Sequence, residues 1–286
     1  MDASAQDLHH RLGTVTAFGD LANAMRGVAA ARLQQARTLI AGIDDYTRTV
    51  TAAMGQARAL LPPAPARAPG AAAPRVTLTV LIGAEQGFNG GLSERVLDAA
   101  GEATGGRVLM VGSQLRRLAH ARGCTPQWFA PMVAHADAAS TLGDRLHTAL
   151  ARALASEPLD AVEIIGSELA VSNEGENLLI RRRNLTPQPA PDDRPPTKAP
   201  RLNVEPARLI DDLLVEYVAA QLTRAVLHGH AAEQLARLRT MAAASENVQR
   251  MVQGLRAEER QWRQEAITGE VIELAAALSG SAKEGR

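Results

Sequence analysis

The sequence predicts a long antiparallel coiled coil of N- and C-terminal helices carrying an inserted, Rossmann-like α/β domain. Apolar residues recur at steps of mostly three or four through 5–61 and again through 207–278. Two proline-rich segments, 61–74 and 186–206, set off the stretch between them. That middle stretch alternates short apolar runs with amphipathic ones, as strands alternate with helices in a three-layer α/β domain. The expected divisions are 1–61, 75–186 and 207–286.

The first helix carries a stripe of Leu8, Leu12, Val15, Phe18, Leu21, Met25, Val28, Leu33, Ala36, Ile40, Ile43, Tyr46, Val50, Met54, Ala57 and Leu61. The mean step is about 3.5 residues, the period of a supercoiled helix. Gly13, Gly19, Gly27, Gly42 and Gly55 interrupt it, each at a cost of ~1 kcal/mol relative to Ala. Such a helix needs a partner face. "LPPAPARAPGAAAP" then ends it, because proline density enforces an extended chain.

In the middle region "RVTLTVLIG" reads as a buried strand and "SERVLDAAGEA" as a helix with Ser93 as its cap. "RVLMVGS" reads as a second strand, and "QLRRLAHARG" as a helix stopped at Gly123. "DAASTLGDRLHTALARALAS" is a long amphipathic helix, and "LDAVEIIGSEL" and "NLLIRRRNL" are two further strands. The sheet is expected to be largely parallel. After the second linker, Leu209, Leu213, Tyr217, Leu222, Val226, Leu235, Leu238, Met241, Val248, Met251, Leu255, Trp262, Ile267, Val271, Leu274 and Leu278 mark the stripe of the last helix. Neither long helix is apolar enough all round to be a core helix, so the two are expected to pair along one stripe each.

Composition narrows the class. The chain has 286 residues, 46% of them hydrophobic and only 2% aromatic, so the core is built from Ala, Leu and Val. Net charge is zero, which gives no reason to expect nucleic acid. Lysine is confined to Lys198 and Lys283. Cys124 is the single cysteine, which rules out an intramolecular disulfide and a zinc-thiolate cluster. No basic-then-apolar leader opens the sequence, and no apolar run approaches the ~20 residues that span a bilayer. A soluble, intracellular chain is expected, peripheral to a membrane through partners if at all.

The stretch "LIGAEQGFNGGLSERVL", 81–97, has the strand, glycine-rich turn and helix start of a phosphate site. A Walker loop requires Gly-Lys-Ser/Thr after its first glycine and four further residues. Here Gly90 and Gly91 are followed by Leu92 and Ser93. The dinucleotide pattern G-x-G-x-x-G is also absent. A tight turn that starts a helix close to the sheet is the better reading, and no cofactor is expected. His9 and His10 lie near Asp7 at a chain end, His228 and His230 point to different faces of a helix, and His120, His135 and His147 are scattered, so no metal site is expected. Ser167 in "IIGSELA" resembles a nucleophile turn, but G-x-S-x-G is absent. The Arg181–Arg183 run reads as a solvated strand end. "NAMRGVAAARLQQAR" is crowded with small residues on several faces, which permits close neighbours from many directions. "QWRQEAITGEVIEL" reads from spacing alone as an ordinary helix surface.

Three segments resemble the gamma subunit of F-type rotary ATP synthases. "AMRGVAAARLQQAR" is similar to the family's Ala-Met, charged residue, Val-Ala-Ala-x-Lys/Arg helix. "GFNGGLSERV" looks like its Gly-Leu-Cys-Gly-Gly-Leu-Asn loop. "RLRTMAAASENVQRMVQGL" with "ERQWRQEAITGEVIEL" resembles its Met-x-x-Ala-Thr-x-Asn and Arg-Gln-x-x-Ile-Thr-x-Glu signatures. Order, spacing and the helix, α/β, helix plan match over nearly the whole chain.

The resemblance implies a non-catalytic central-stalk rotor. It would turn inside a ring of alpha and beta subunits, rest on epsilon and a c ring, and couple ion-driven rotation to ATP synthesis or hydrolysis. It further implies a peripheral place at the cytoplasmic face of the cell inner membrane. Carried over residue by residue, it makes Met25 and Arg26 the pair facing a beta subunit, and Arg237, Gln264, Thr268 and Glu270 the polar positions contacting the ring or the opposing helix. "FGDLAN", 18–23, departs from the family's Thr-Gln-Lys-Ile-Thr-Lys, with Asp20 in place of a lysine. Gly269 and the missing Gly-Ala tail depart too, and mark a divergent branch. The competing class is an α/β nucleotide-binding protein with a coiled-coil docking arm. It requires a complete phosphate motif or converging His, Asp and Lys, and the sequence has neither.

Overall fold

The computed structural model describes residues 2–61, 77–156, 159, 161–172, 175–185 and 202–281, without the side chains of 2–5, 171–172 and 275–281. Helix α1 runs Asp2–Arg58 and helix α5 runs Pro206–Ser281. Between them lie β1 (Thr77–Ile82), α2 (Leu92–Ala100), β2 (Arg107–Val111), α3 (Ser113–Ala121), β3 (Trp128–Ala130), α4 (Ala139–Ser156), β4 (Ala161–Ser172) and β5 (Gly175–Asn184). The proline-rich segments fall largely outside the described residues, as does the Leu278 side chain. The described chain divides into two compact units, Met1–Val28 with Leu238–Arg286, and Ala29–Arg237.

In the first unit α1 and α5 run antiparallel. Ser245 Oγ donates to Asn23 Oδ1 at 3.0 Å, and Gly19 lies against Val248. The α1 positions turned inward are Leu8, Leu12, Val15, Gly19, Ala22 and Met25, answered on α5 by Met241, Ser245, Val248, Val252 and Leu255. These follow three-four spacing. The repeat of Leu8, Val15, Ala22, Ala29, Ala36, Ile43, Val50 and Ala57 recurs every seven residues along α1, the pattern that imposes a left-handed supercoil.

This seam corrects the expected stripe. Phe18, Leu21 and Val28 are 51%, 56% and 52% exposed, and Met251 and Tyr46 are exposed as well. The seam steps instead through Gly19, Ala22, Ala29 and Val252. Small residues occupy it because the helix backbones approach closely: a Cβ on Gly19 would stand 2.7 Å from Val248 Cγ1.

In the second unit a five-stranded sheet has the order β3-β2-β1-β4-β5. β1 pairs in parallel with β2 and β4, and β3 with β2, while β5 returns antiparallel to β4 from Ser172↔Gly175 to Glu163↔Asn184. The largely parallel sheet is therefore as expected, with the edge strand β3 in addition. Three residues after a proline carry too little pattern to read as a strand.

Side chains alternate across the sheet. Leu81, Val108, Met110 and Ile165 meet α2 and α3 through Val96, Leu97, Ala100, Leu115 and Ala119. The opposite face meets α4 and α5. Gly143 of α4 lies against Thr223 of α5, and Gly229 of α5 against Ile82 of β1 and Met132. The α1–α5 pairing within this unit is again antiparallel, with Arg224 bonded to Asp44 and Tyr46 donating to Glu216 at 2.8 Å.

Here α5 departs from the one-stripe expectation. Val226 through Arg237 are buried on every face, His228, His230, Glu233, Gln234 and Arg237 included. The helix passes through the α/β layers instead of lying on them. Ser93 is likewise not the cap of α2. It sits inside the helix, and its hydroxyl accepts the Ala84 N–H at 3.2 Å. The N-cap is Gly91, in the left-handed region at φ 72, and Asn89 Oδ1 two residues before it accepts the Leu92 N–H at 3.3 Å.

Candidate functional site

In a doubly wound sheet a ligand binds beyond the C-terminal ends of the strands, where the strand order reverses. In the order β3-β2-β1-β4 that point lies beyond Ile82 and Gly166. The space is filled by α5. Gly229 allows the approach, since a Cβ there would stand 2.5 Å from Ile82 Cγ2.

The glycine-rich loop after β1 is tied down in the same way. Glu233 Oε2 accepts the Glu85 N–H at 2.9 Å, and Oε1 accepts the Gln86 N–H at 3.1 Å. With Ser93 taking the Ala84 N–H, three successive amides that could cradle a phosphate are occupied by the chain's own side chains. Arg237 Nη2 donates to Glu233 Oε1 at 2.6 Å and neutralises it. Glu85 in turn accepts the N–H groups of Ser113 and Met132, both at 2.9 Å. Buried backbone donors are thus satisfied by carboxylates from α5 and the loop, as a closed polar core requires.

A second polar cluster joins β4, β5 and both long helices. Glu168 accepts from Arg183 at 2.7 and 2.9 Å and pairs with Arg224 at 2.6 Å. Burial alone raises the Glu168 carboxyl pKa, but the Arg183 and Arg224 guanidinium groups overcome it and hold the group below its ordinary range. Arg224 moves the other way. Burial lowers it, while Asp44 and Glu168 more than compensate.

His228 Nε2 is 3.9 Å from Glu168 Oε1. Burial and then the Arg224 charge push its pKa down to about 4. Ser167 and His228 line one cavity of about 30 Å³, yet neither the Ser167 hydroxyl nor the His228 ring has a hydrogen-bond partner among the described residues. No nucleophile–base pair is formed. Among the described residues no group of three His, Cys, Asp or Glu side chains is placed to hold a metal.

The residues singled out by resemblance separate. Met25 is half-buried beside the seam and Arg26 is exposed; Gln264, Thr268 and Glu270 are exposed on α5. These five belong to the first unit. Arg237 belongs to the second, buried and paired with Glu233. Glu233, Gly229, Arg224 and Glu168 were missed. The signal available for the first two was a glycine and several polar residues inside an otherwise regular helix.

Long N- and C-terminal helices that pair and flank an α/β insertion are the architecture of the rotary ATP synthase gamma-subunit class. The ATP synthase family matches residues 4–280, and the chain belongs to that family as an F-type gamma subunit. It is 27% identical over 300 residues to the ATP synthase gamma chain of Parafrankia sp. (strain EAN1pec), covering 96% of each chain. To the gamma chain of Fuscovulum blasticum it is 28% identical over 297 residues, covering 95% of this chain and 97% of that one.

In fold it resembles a chain of the Euglena gracilis mitochondrial ATP synthase, with a TM-score of 0.64, 12% identity and coverage of 100% and 97%. It also resembles one from the Tetrahymena thermophila mitochondrial ATP synthase central stalk and c ring, with a TM-score of 0.52, 16% identity and coverage of 79% and 99%. Among the described residues no helix is long and apolar enough to cross a membrane.

Proposed function

We propose that this chain turns inside a sleeve of alpha and beta subunits, and that its α/β domain rests on epsilon and on a c ring at the cytoplasmic face of the cell inner membrane. The corresponding divisions are a coiled-coil helix at 1–61, a foot at 75–186 and a second coiled-coil helix at 207–286. The observation that carries this reading is the apolar outer surface of the first unit. Gly19 and Ala22 let its two helices close up within an apolar seam, while Phe18, Leu21, Val28, Met251, Trp262, Ile267, Val271, Ile272 and Leu274 are exposed. An apolar outer surface of this extent marks a protein interaction face. A rotor is best served by such a face, because apolar contact is non-directional and traps no single angle.

Met25, Arg26, Gln264, Thr268 and Glu270 are the proposed contacts with the ring. Arg237, the sixth carried-over position, is buried and paired with Glu233. In the test, Met25→Lys places a second cation beside Arg26. A new charge-assisted bond to an acidic residue of the ring is worth about 1.5–3 kcal/mol and favours one rotor angle. Ion pumping falls relative to ATP hydrolysis in vesicles reconstituted with the whole complex. An unchanged ratio removes the contact assignment and leaves the family intact.

A further inference from the structure

One guanidinium touches three elements at once. Arg224 of α5 donates from Nε to Asp44 Oδ1 of α1 at 2.5 Å, and its Nη1 lies 2.6 Å from Glu168 Oε1 of β4. Arg183 of β5 closes on both oxygens of the same carboxylate. The Arg224 and Glu168 side chains are 16% and 11% exposed. Arg37 of α1 also pairs with Glu176 of β5, with side chains 41% and 22% exposed. The Arg224–Asp44 arm is partly open as well, at 16% and 38%, but only there does the cation bond a second, buried carboxylate, Glu168.

Elsewhere α5 is held to the loop after β1 by Glu233 and packs on the sheet through apolar contact, Gly229 against Ile82 and Met132. Apolar contact resists separation but sets no angle. A planar fork shared between two carboxylates does set one, since its donors lie in fixed directions.

We propose that Arg224 is a positioning residue of the rotor, the joint through which twisting force on the α/β domain is passed to α1 as well as to α5. The proposal rests on the rotor reading. The force enters β4 and β5 with the sheet and is held at Glu168. It leaves through the two directions of the guanidinium, along its own helix and across to Asp44. Without the fork, α1 follows the sheet through the Arg37–Glu176 pair at the far end of β5 and through contacts that slide. His228, the nearest titratable ring, is neutral over the ordinary pH range, so the charge balance of the joint stays constant as the rotor works.

The experiment uses the whole complex in vesicles, with ATP-driven ion pumping and ATP hydrolysis measured together for Arg224→Met, Asp44→Asn and the double variant. The expected result is hydrolysis close to the unaltered complex, with the pumping-to-hydrolysis ratio reduced about threefold or more in Arg224→Met. Asp44→Asn reduces it less, and the double variant falls no further than Arg224→Met, because both act on one joint.

An unchanged ratio in assembled Arg224→Met complexes overturns the proposal. So does an unchanged ratio in Asp44→Asn where Arg224→Met does not assemble. Parallel loss of hydrolysis and pumping also overturns it, being the mark of a residue that only holds the fold. An unaltered chain that fails to restore pumping to complexes lacking the subunit overturns the rotor reading itself.

Discussion

The Glu233 carboxylate of α5 accepts the backbone N–H of Glu85 at 2.9 Å, in the glycine-rich loop that follows the first strand. A loop with the look of an anion cradle already holds an anion, supplied by its own chain. Removing that anion has two effects of the same sign: the Glu85 and Gln86 amides lose their acceptor, and Arg237 becomes an unpaired buried cation. Breaking a buried pair from one side costs about 3–5 kcal/mol. Glu233→Ala therefore lowers the denaturant midpoint strongly, and Glu233→Gln less, in equilibrium unfolding of the purified chain.

Glycines in the two long helices separate into those with neighbours and those without. A Cβ at Gly229 meets Ile82 and one at Gly19 meets Val248, whereas Gly13, Gly27 and Gly254 have nothing within 4 Å. Ala at an open helical site gains up to about 1 kcal/mol, while overpacking costs about 1–3 kcal/mol. Gly13→Ala and Gly254→Ala raise the Tm of the isolated chain, and Gly229→Ala lowers it. A Gly229→Ala chain that melts higher than the parent contradicts the tight crossing.

Stability depends on pH through His228 and His230. Burial lowers both from 6.5 to about 4, and each feels nearby arginines, Arg224 beside His228 and Arg32 beside His230. The Val133 backbone near His230 acts weakly the other way. It falls outside strict hydrogen-bond geometry. The folded chain resists protons that the unfolded chain accepts, so the contribution is complete above 6.5 and is lost as pH falls from 6.5 toward 4. Each ring accounts for something on the order of 3 kcal/mol over that window. Unfolding midpoints measured between pH 7 and pH 4 drop in the parent and drop less steeply in His228→Asn.

Phe88 has φ 58 and is 64% exposed at the tip of the same loop. The left-handed region costs a non-glycine residue about 1–2 kcal/mol, and little packing offsets it at a site so open. Phe88→Gly relieves this but adds conformational freedom to the unfolded chain, which offsets part of the gain. The net effect is a small gain, below about 1 kcal/mol, read by thermal melting.

Much of this was legible in the sequence. The two long helices, the α/β insertion and most of its strands follow from periodicity, and the family from three motifs. What the sequence misplaced was facing. Phe18, Leu21 and Val28 are larger and more apolar than Gly19, Ala22 and Ala29, so hydrophobicity drew these three steps of the seam one residue out of place, while Leu8, Leu33, Ala36 and Val50 fall on it. Small residues win that place because backbones close in there, which is a fact of packing and not of polarity. Histidine, glutamate and arginine at 228–237 hid a fully buried helix for a related reason. Glu233 and Arg237 are there to satisfy or balance partners that only the fold brings near, the loop amides for Glu233 and Glu233 itself for Arg237. Strand β3 was too short to leave a period.

The passage of α5 through the α/β layers fixes an order of events during synthesis. Ile82 and the loop after it leave the ribosome roughly 150 residues before Gly229 does, an interval on the order of ten seconds at ~5–20 residues per second. Until then the sheet has an open crevice, the Glu85 and Gln86 amides lack their acceptor, and α1 has no coil partner. The nascent chain therefore emerges as a half-built domain with its crevice uncovered. It closes only when its last helix is threaded home.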